Sequence, residues 1–383
     1  MKEKVWLRQR ICQVSWGWYA SSMSTGGIAL LLHQTPHQFT GLQTIGKIFF
    51  IFNLVLFLSI CTAMVIRFTS DPSSLKASLQ DPNESHFLAT AILAIATIIM
   101  GIASYGTSSC GPWLNVALRV LFWIYAAVSI FFAVIQNWYL YSVKMASRQP
   151  FALVRLLPSF PAMLCGTMAS IVVSGEPPVQ AIPILFGGTT LQGFGFLMSL
   201  FIYAEFVYRL NKSGLPKPSE RPEMFIAVGP PSFTSIAIIG MASEATTKFP
   251  EQYIISAFDA PRANTAVSTA DIAVVLATLT AVFMWTMAFF FFCIAALSTL
   301  SACNLHGKGE MGISLAWWSM VFPNTGFILA IIKIGQALES NAILWVSSIL
   351  TILQVAMWLF VGGAHVWGVY TRRLLWPEEI HES

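Results

Sequence analysis

Ten apolar stretches follow one another along the chain, at approximately 15–33, 43–67, 86–107, 113–142, 158–176, 178–208, 221–245, 268–299, 313–337 and 342–370. A helix needs about 20 such residues to cross the hydrocarbon core of a bilayer. Lipid offers no partner for a free backbone group, and a helix pairs its own. The chain is therefore read as an all-α integral membrane protein with ten transmembrane helices. Only 10% of the 383 residues are charged and 56% are hydrophobic, whereas a soluble domain carries about 25% charged residues. The polar remainder forms an N-terminal segment, 1–14, and a tail, 371–383, around one transmembrane domain, 15–370. Gly175-Glu176-Pro177-Pro178 separates the fifth stretch from the sixth; nine spans would result if the two were one.

Basic residues test the count independently, because cytoplasmic loops retain Lys and Arg. Sixteen of the 21 lie in alternate segments: Lys2, Lys4, Arg8 and Arg10; Arg67 and Lys76; Lys144, Arg148 and Arg155; Arg209, Lys212, Lys217 and Arg221; Lys308; Arg372 and Arg373. The opposite loops hold two, Lys248 and Arg262. An even number of crossings with both termini cytoplasmic follows. The net charge of +4 is then a skirt facing lipid headgroups, and nucleic acid is not an expected partner. Cys12, Cys61, Cys165 and Cys293 lie in or beside spans, so neither a disulfide framework nor a metal centre is expected.

Glycine and proline fall mainly in odd-numbered spans. Gly26-Gly27 lies in the first, Gly101 in the third, Pro161 and Gly166 in the fifth, Gly229-Pro230-Pro231 in the seventh, Pro323 and Gly326 in the ninth. The second, fourth and eighth have none across their apolar interiors, whereas the sixth carries Pro183, Gly187, Gly188, Gly193 and Gly195. Proline removes a helical hydrogen bond, and broken backbone at membrane depth is tolerated only against protein or a water-filled cavity. Odd helices lining an interior path, sheathed by even ones, is one reading. Close packing through small residues is the other.

No H-E-x-x-H, no G-x-x-x-x-G-K-[ST] and no EF-hand loop occurs, so no enzyme and no cofactor is indicated. Buried charge is scarce. Lys333, near the outer end of the ninth span, either attracts anions or snorkels to the interface. Arg119, in the fourth, either snorkels or meets another subunit. Arg67, Arg155, Arg209 and Arg221 flank the inner mouths, where they set topology and could also concentrate cytoplasmic anions. Glu205 and Asp271 read as end-of-helix residues.

Four stretches resemble a known family. The ninth span reads Ala316-Trp317-Trp318-Ser319-Met320-Val321-Phe322-Pro323-Asn324-Thr325-Gly326-Phe327, and the seventh contains Arg221-Pro222-Glu223-Met224-Phe225-Ile226-Ala227-Val228-Gly229-Pro230-Pro231-Ser232-Phe233-Thr234. The first carries Met23-Ser24-Thr25-Gly26-Gly27, the fifth Leu157-Pro158-Ser159-Phe160-Pro161-Ala162-Met163-Leu164-Cys165-Gly166-Thr167. From about residue 8 to 370 the chain resembles the tellurite-resistance/dicarboxylate transporter family, in its fungal malic acid transporter branch. Plant slow anion channels and fungal sulfite efflux pumps are more distant relatives. The resemblance implies five helical hairpins around a central pore, kinked inner helices and a homotrimer in the plasma membrane. It also implies a pore-occluding phenylalanine, at Phe322. The branch often has a lysine where Gln336 stands here, with Lys333 one turn earlier.

The expectation is thus an exporter or channel for C4-dicarboxylates such as malate, with an inorganic-anion channel or sulfite pump as the alternative. Its small organic anion would pass Ser24, Thr25, Gly26, Thr167, Gly229, Pro230, Ser232, Pro323, Asn324 and Lys333, with Phe322 as gate and Arg67, Arg155 and Arg221 in the cytoplasmic vestibule. Unpaired N–H groups at the kinks would replace water around its carboxylates.

Overall fold

The computed structural model describes residues 7–142, 153–250, 253, 268–304 and 311–376. Lys2, Lys4, Lys144, Arg148, Arg262 and Lys308 lie outside them. Ten helices carry the fold: α1 (Tyr19–Gln34), α2 (Leu42–Ser70), α3 (Leu88–Gly106), α4 (Trp113–Ser142), α5 (Phe160–Val172), α6 (Pro178–Ser213), α7 (Gly229–Lys248), α8 (Thr269–Asn304), α9 (Phe322–Ala337) and α10 (Asn341–Tyr370). Among the described residues, nine helical stretches are long and apolar enough to cross a membrane. The tenth helix, α1, has 16 residues and follows the 3-10 turn Trp16–Trp18.

Odd and even helices differ in construction. The even ones are unbroken α-helices of 29 to 36 residues. The odd ones hold only 13 to 20 α-helical residues. Four are entered through 3-10 helix: Trp16–Trp18 before α1, Leu153–Ser159 before α5, Pro218–Val228 before α7 and Leu315–Met320 before α9. In the last three the α-helix starts where proline occupies its first turn, at Pro161, Pro230-Pro231 and Pro323. Proline suits that position because its missing N–H would have no partner there.

Consecutive odd helices pack side by side, α1 on α3, α3 on α5, α5 on α7, α7 on α9 and α9 back on α1. They close a ring, and each is paired with the even helix that follows it. Burial follows the same division. In the most apolar window of each span, 61 to 94% of residues are buried for α3, α5, α7 and α9, against 11 to 33% for the even helices. The even helices face lipid and hold its apolar surface, which leaves the inner ones free to carry Ser, Thr, Gly and Pro.

Donors on even helices reach inner-helix carbonyls near the breaks. Tyr125 of α4 donates to Pro161 O (3.0 Å), Tyr203 of α6 to Ala227 O (2.7 Å), and Gln354 of α10 to Val321 O (2.7 Å). Pro231 cannot bond the carbonyl four residues back, and that carbonyl is Ala227, which Tyr203 takes. The broken backbone is thus paired by protein, as membrane depth requires.

Most glycines serve close approach. A Cβ on Gly26 would collide with Thr97 and Asn53, and one on Gly166 would stand 2.7 Å from Gln192 and 2.9 Å from Ala237. Those of α6 follow the packing reading: Gly188 lies against Ala169, and Gly195 against Met163. This explains why the glycine-rich sixth span belongs to the sheath. Gly193 faces open space. Gly166→Ala should therefore cost about 1–3 kcal/mol through overpacking, while Gly193→Ala should be neutral or gain up to about 1 kcal/mol in helix propensity. Unfolding of the two variants in micelles tests this; equal effects would contradict it.

Candidate functional site

Inside the ring, α5, α7 and α9 each send one phenylalanine to the same level. The Phe322 ring stacks on Phe233 with centroids 4.9 Å apart and planes at 25°. Phe160 meets Phe233 edge-on at 5.9 Å and lies 6.4 Å from Phe322. Three glycines make room for these rings. A Cβ on Gly229 would be 2.6 Å from Phe160, one on Gly326 2.7 Å from Phe233, and one on Gly27 3.3 Å from Phe322. Phe160, Phe233 and Phe322 are all buried and together form a plug.

Space lies on both sides of it. Toward the end holding the chain termini is a cavity of only 30 Å³, with residues from all five odd spans, among them Met23, Thr90, Leu157, Ile226 and Ser319. Its volume is that of about one water. Beyond the plug lies a cavity of 250 Å³ bordered by Ser170, Ser243, Glu244, Thr278, Lys333 and Gln336. A wider mouth of 570 Å³ shares Gln34, Lys333 and Gln336 with it and adds His33 and Gln43. Lys333 follows Phe322 by 11 residues on one face of α9, about 16 Å at 1.5 Å per residue. Among the described residues no carboxylate reaches ion-pair distance from Lys333. The Lys333 side chain borders both the far cavity and the mouth, and shares the cavity with the Glu244 carboxylate, whose charge it feels without ion-pair contact.

Helical spacing sorts the expected α1 residues onto three faces. Ala20, Met23, Ser24 and Gly27 share the face toward the plug. The Ser24 hydroxyl is fully buried there without a partner. Thr25 turns instead to α10, where it accepts from Trp358 Nε1 (3.1 Å) and donates to Ser21 O (2.7 Å). Gly26 faces α2 and α3. On the other inner helices, Thr167 donates to Phe233 O (3.3 Å) and Ser232 to Val228 O (2.6 Å). Pro323 borders the small cavity, and Pro230 lies buried beside Gly229. Asn324 donates Nδ2–H to Met320 O (2.9 Å), leaving Oδ1 buried and unpartnered.

Two expectations change. At the kinks part of the backbone is paired, which narrows the set of N–H groups left for an anion: Val321 N–H donates to Trp318 O, Thr325 N–H to Val321 O, and Gly229 N–H to Ile226 O. What remains is the positive end of each short helix, aimed at the plug level. Arg67, Arg155 and Arg221 do not present free guanidinium groups. Arg67 grips Glu84 through both terminal nitrogens (2.5 and 3.0 Å) and donates to Val14 O. Arg155 pairs with Glu205 (2.5 Å), which also accepts from Arg209. Arg221 is held by Pro216 O, Ser298 O and the Ser301 hydroxyl. Arg119 pairs with the buried Glu176 carboxylate at 3.0 Å.

The sequence carries a signal for Phe160 but none for Phe233: Phe-Pro at 160–161 and 322–323 opens the α-helical part of an inner helix, while the third Phe-Pro, 249–250, follows the end of α7.

Several known proteins are similar to this chain in sequence. A malic acid transport protein of Schizosaccharomyces pombe is 32% identical over 376 residues, 97% of this chain and 82% of its own. A sulfite efflux pump of Arthroderma benhamiae is 24% identical over 94% of this chain and 91% of its own. An uncharacterized transporter of Methanocaldococcus jannaschii is 22% identical over 80% of each. The family model described as SLAC1, voltage-dependent anion channel, matches residues 13–366, which take in all five inner helices and the plug, and the chain belongs to that family.

Proposed function

We propose that this chain passes C4-dicarboxylates such as malate along the axis of the inner ring, with Phe322 as the gate. The observation that carries this is the aromatic plug, with a cavity on either side of it and Lys333 beyond it. An anion crossing the ring meets the positive ends of the inner helices and the Ser24 hydroxyl. The unpartnered oxygen of Asn324 would repel it, so Asn324 serves only if its amide turns. The malic acid name of the 32% relative and the resemblance read from the four inner spans favour a carboxylate substrate. The sixteen-to-two bias of basic residues supports termini in the cytoplasm of a plasma-membrane protein. The homotrimer rests on the family resemblance.

Direction follows from charge. At about 2.3 kcal/mol per charge per 100 mV, an inside-negative membrane drives a dianion outward by roughly 4–5 kcal/mol, so export needs no further coupling. Proteoliposomes loaded in turn with malate, succinate, sulfite, nitrate and chloride test the substrate class. Malate efflux well above empty vesicles is expected. Malate flux equal to the blank, with sulfite passing, would replace the reading by the one that the sulfite pump relatives suggest.

Lys333 has its own test. At an effective dielectric constant near 20, a unit charge about 8 Å away contributes roughly 2 kcal/mol. Lys333→Gln should lower initial malate flux by about 30-fold at low ionic strength, less in high salt. An unchanged rate would remove Lys333 from the path.

A further inference from the structure

Outside the ring, the molecule has a second and larger hollow. It measures 1170 Å³ and lies between α2 and α10, backed by Trp18, Thr25 and Trp318. The two outer helices meet where Trp358 stands edge-on to Phe49 (4.9 Å) and Phe52 (6.2 Å). From there the hollow runs along Leu359, Val366 and Tyr370 to the end carrying the termini. Trp358 to Tyr370 spans about 18 Å of helix, close to the roughly 15 Å of hydrocarbon in one leaflet. Gly362 and Gly363 widen it by withholding side chains, and a Cβ on Gly363 would meet nothing within 4 Å.

The polar end of this groove is basic. Arg10 and Arg372 both border it, and both lie over the Trp376 ring, at 5.4 and 4.6 Å from its centroid. Among the described residues neither pairs with a carboxylate. Arg10 Nε is buried without a hydrogen-bond partner. Two like charges held on one ring call for an anion between them.

We propose that this groove binds an anionic glycerophospholipid of the leaflet on the side of the termini. One acyl chain lies along the aromatic and aliphatic wall up to Trp358. The phosphate sits between Arg10 and Arg372, a basic pocket of the kind that takes lipid headgroups. Trp318, which donates to His365 Nδ1 at 2.9 Å, borders both this groove and the small cavity under the plug. The occupant therefore touches a wall of the inner ring.

Native mass spectrometry of the delipidated protein in micelles, titrated with phosphatidylglycerol or phosphatidylcholine, tests the assignment. The parent should retain one phosphatidylglycerol about 30-fold more tightly than phosphatidylcholine, from about fivefold per arginine. Arg10→Gln with Arg372→Gln should erase that preference. Gly363→Phe, which fills open space and leaves packed residues alone, should abolish retention of both lipids. Equal retention of the two lipids by the parent would overturn the proposal, as would full retention by Gly363→Phe. Glycerol phosphate competing as well as the whole lipid would reduce the site to a surface anion contact. A subunit count that falls in Gly363→Phe, with lipid binding unaltered, would assign the groove to a second copy of this chain.

Discussion

Replacing Phe322 by alanine is expected to raise malate flux through reconstituted protein by about ten- to hundredfold. The ring makes two aromatic contacts in the closed plug, with Phe233 and Phe160. Each is worth about 0.5–1.5 kcal/mol beyond its buried area, so losing both weakens closure by roughly 1–3 kcal/mol. At about 1.4 kcal/mol per tenfold, that shift alone gives up to about a hundredfold, before counting the space vacated. Phe233→Ala should also raise flux, because Phe233 supports the Phe322 face. Phe322→Leu should fall between, since it keeps bulk and loses the stack. Initial efflux rates from loaded vesicles provide the comparison. Flux in Phe322→Ala no higher than in the parent would dismiss the plug as a gate and leave it a packing cluster.

The second large effect falls on stability. Arg67→Ala should cost about 3–5 kcal/mol, because it strands the Glu84 carboxylate in a site where both side chains are only 13% exposed. The consequence reaches beyond the pair. Glu84 also accepts from Trp16 N–H (3.3 Å), and Arg67 also holds Val14 O (2.7 Å). Together they fasten the entrance of α1 to the end of α2 and to the connection leading into α3. Replacing both partners, Arg67→Met with Glu84→Leu, should recover most of the loss, since no buried charge is then left alone. Denaturant unfolding in micelles measures all three proteins. An Arg67→Ala protein as stable as its parent but slower in anion flux would restore Arg67 to the vestibule.

The contrast between Phe322 and Arg67 shows which properties could be read from residues alone. Helix positions were legible to within a few residues at most ends, because bilayer thickness imposes a length on every apolar stretch. The fourth span, 113–142, coincides with α4, and 342–370 differs from α10 by one residue. Pro161, Pro231 and Pro323 hinted at the inner-and-outer division, although Pro183 in the sheath helix α6 shows that proline alone does not mark an inner helix. Glycine was the ambiguous letter. It accepts a Phe ring at Gly229 and a neighbouring helix at Gly195, and nothing in the sequence separates the two uses. The ion pairs of the arginines leave no mark in the sequence for another reason. Glu84 is 17 residues from Arg67, Glu205 50 from Arg155, and Glu176 57 from Arg119. Pairings made by tertiary packing leave no periodic trace.

The same limit applies to α1. Thr25 and Gly26 stand beside Ser24 in sequence and were grouped with it, yet successive residues on a helix point about 100° apart. Ser24 shares a face with Gly27, whose missing side chain admits Phe322. Thr25 is committed to Trp358, and Gly26 to the seam with α2 and α3.

The most direct test of the pathway is water access on either side of the plug. In a protein without its native cysteines, Ser319→Cys and Lys333→Cys are each exposed to a charged, membrane-impermeant thiol reagent, applied from one side of the vesicle at a time. The account predicts that position 319 reacts only from the side of the termini and position 333 only from the far side. Adding Phe322→Ala should open position 319 to reagent from the far side as well. If position 319 stays unreactive from both sides with Phe322 removed, no aqueous route runs through the ring, and the anion must cross elsewhere.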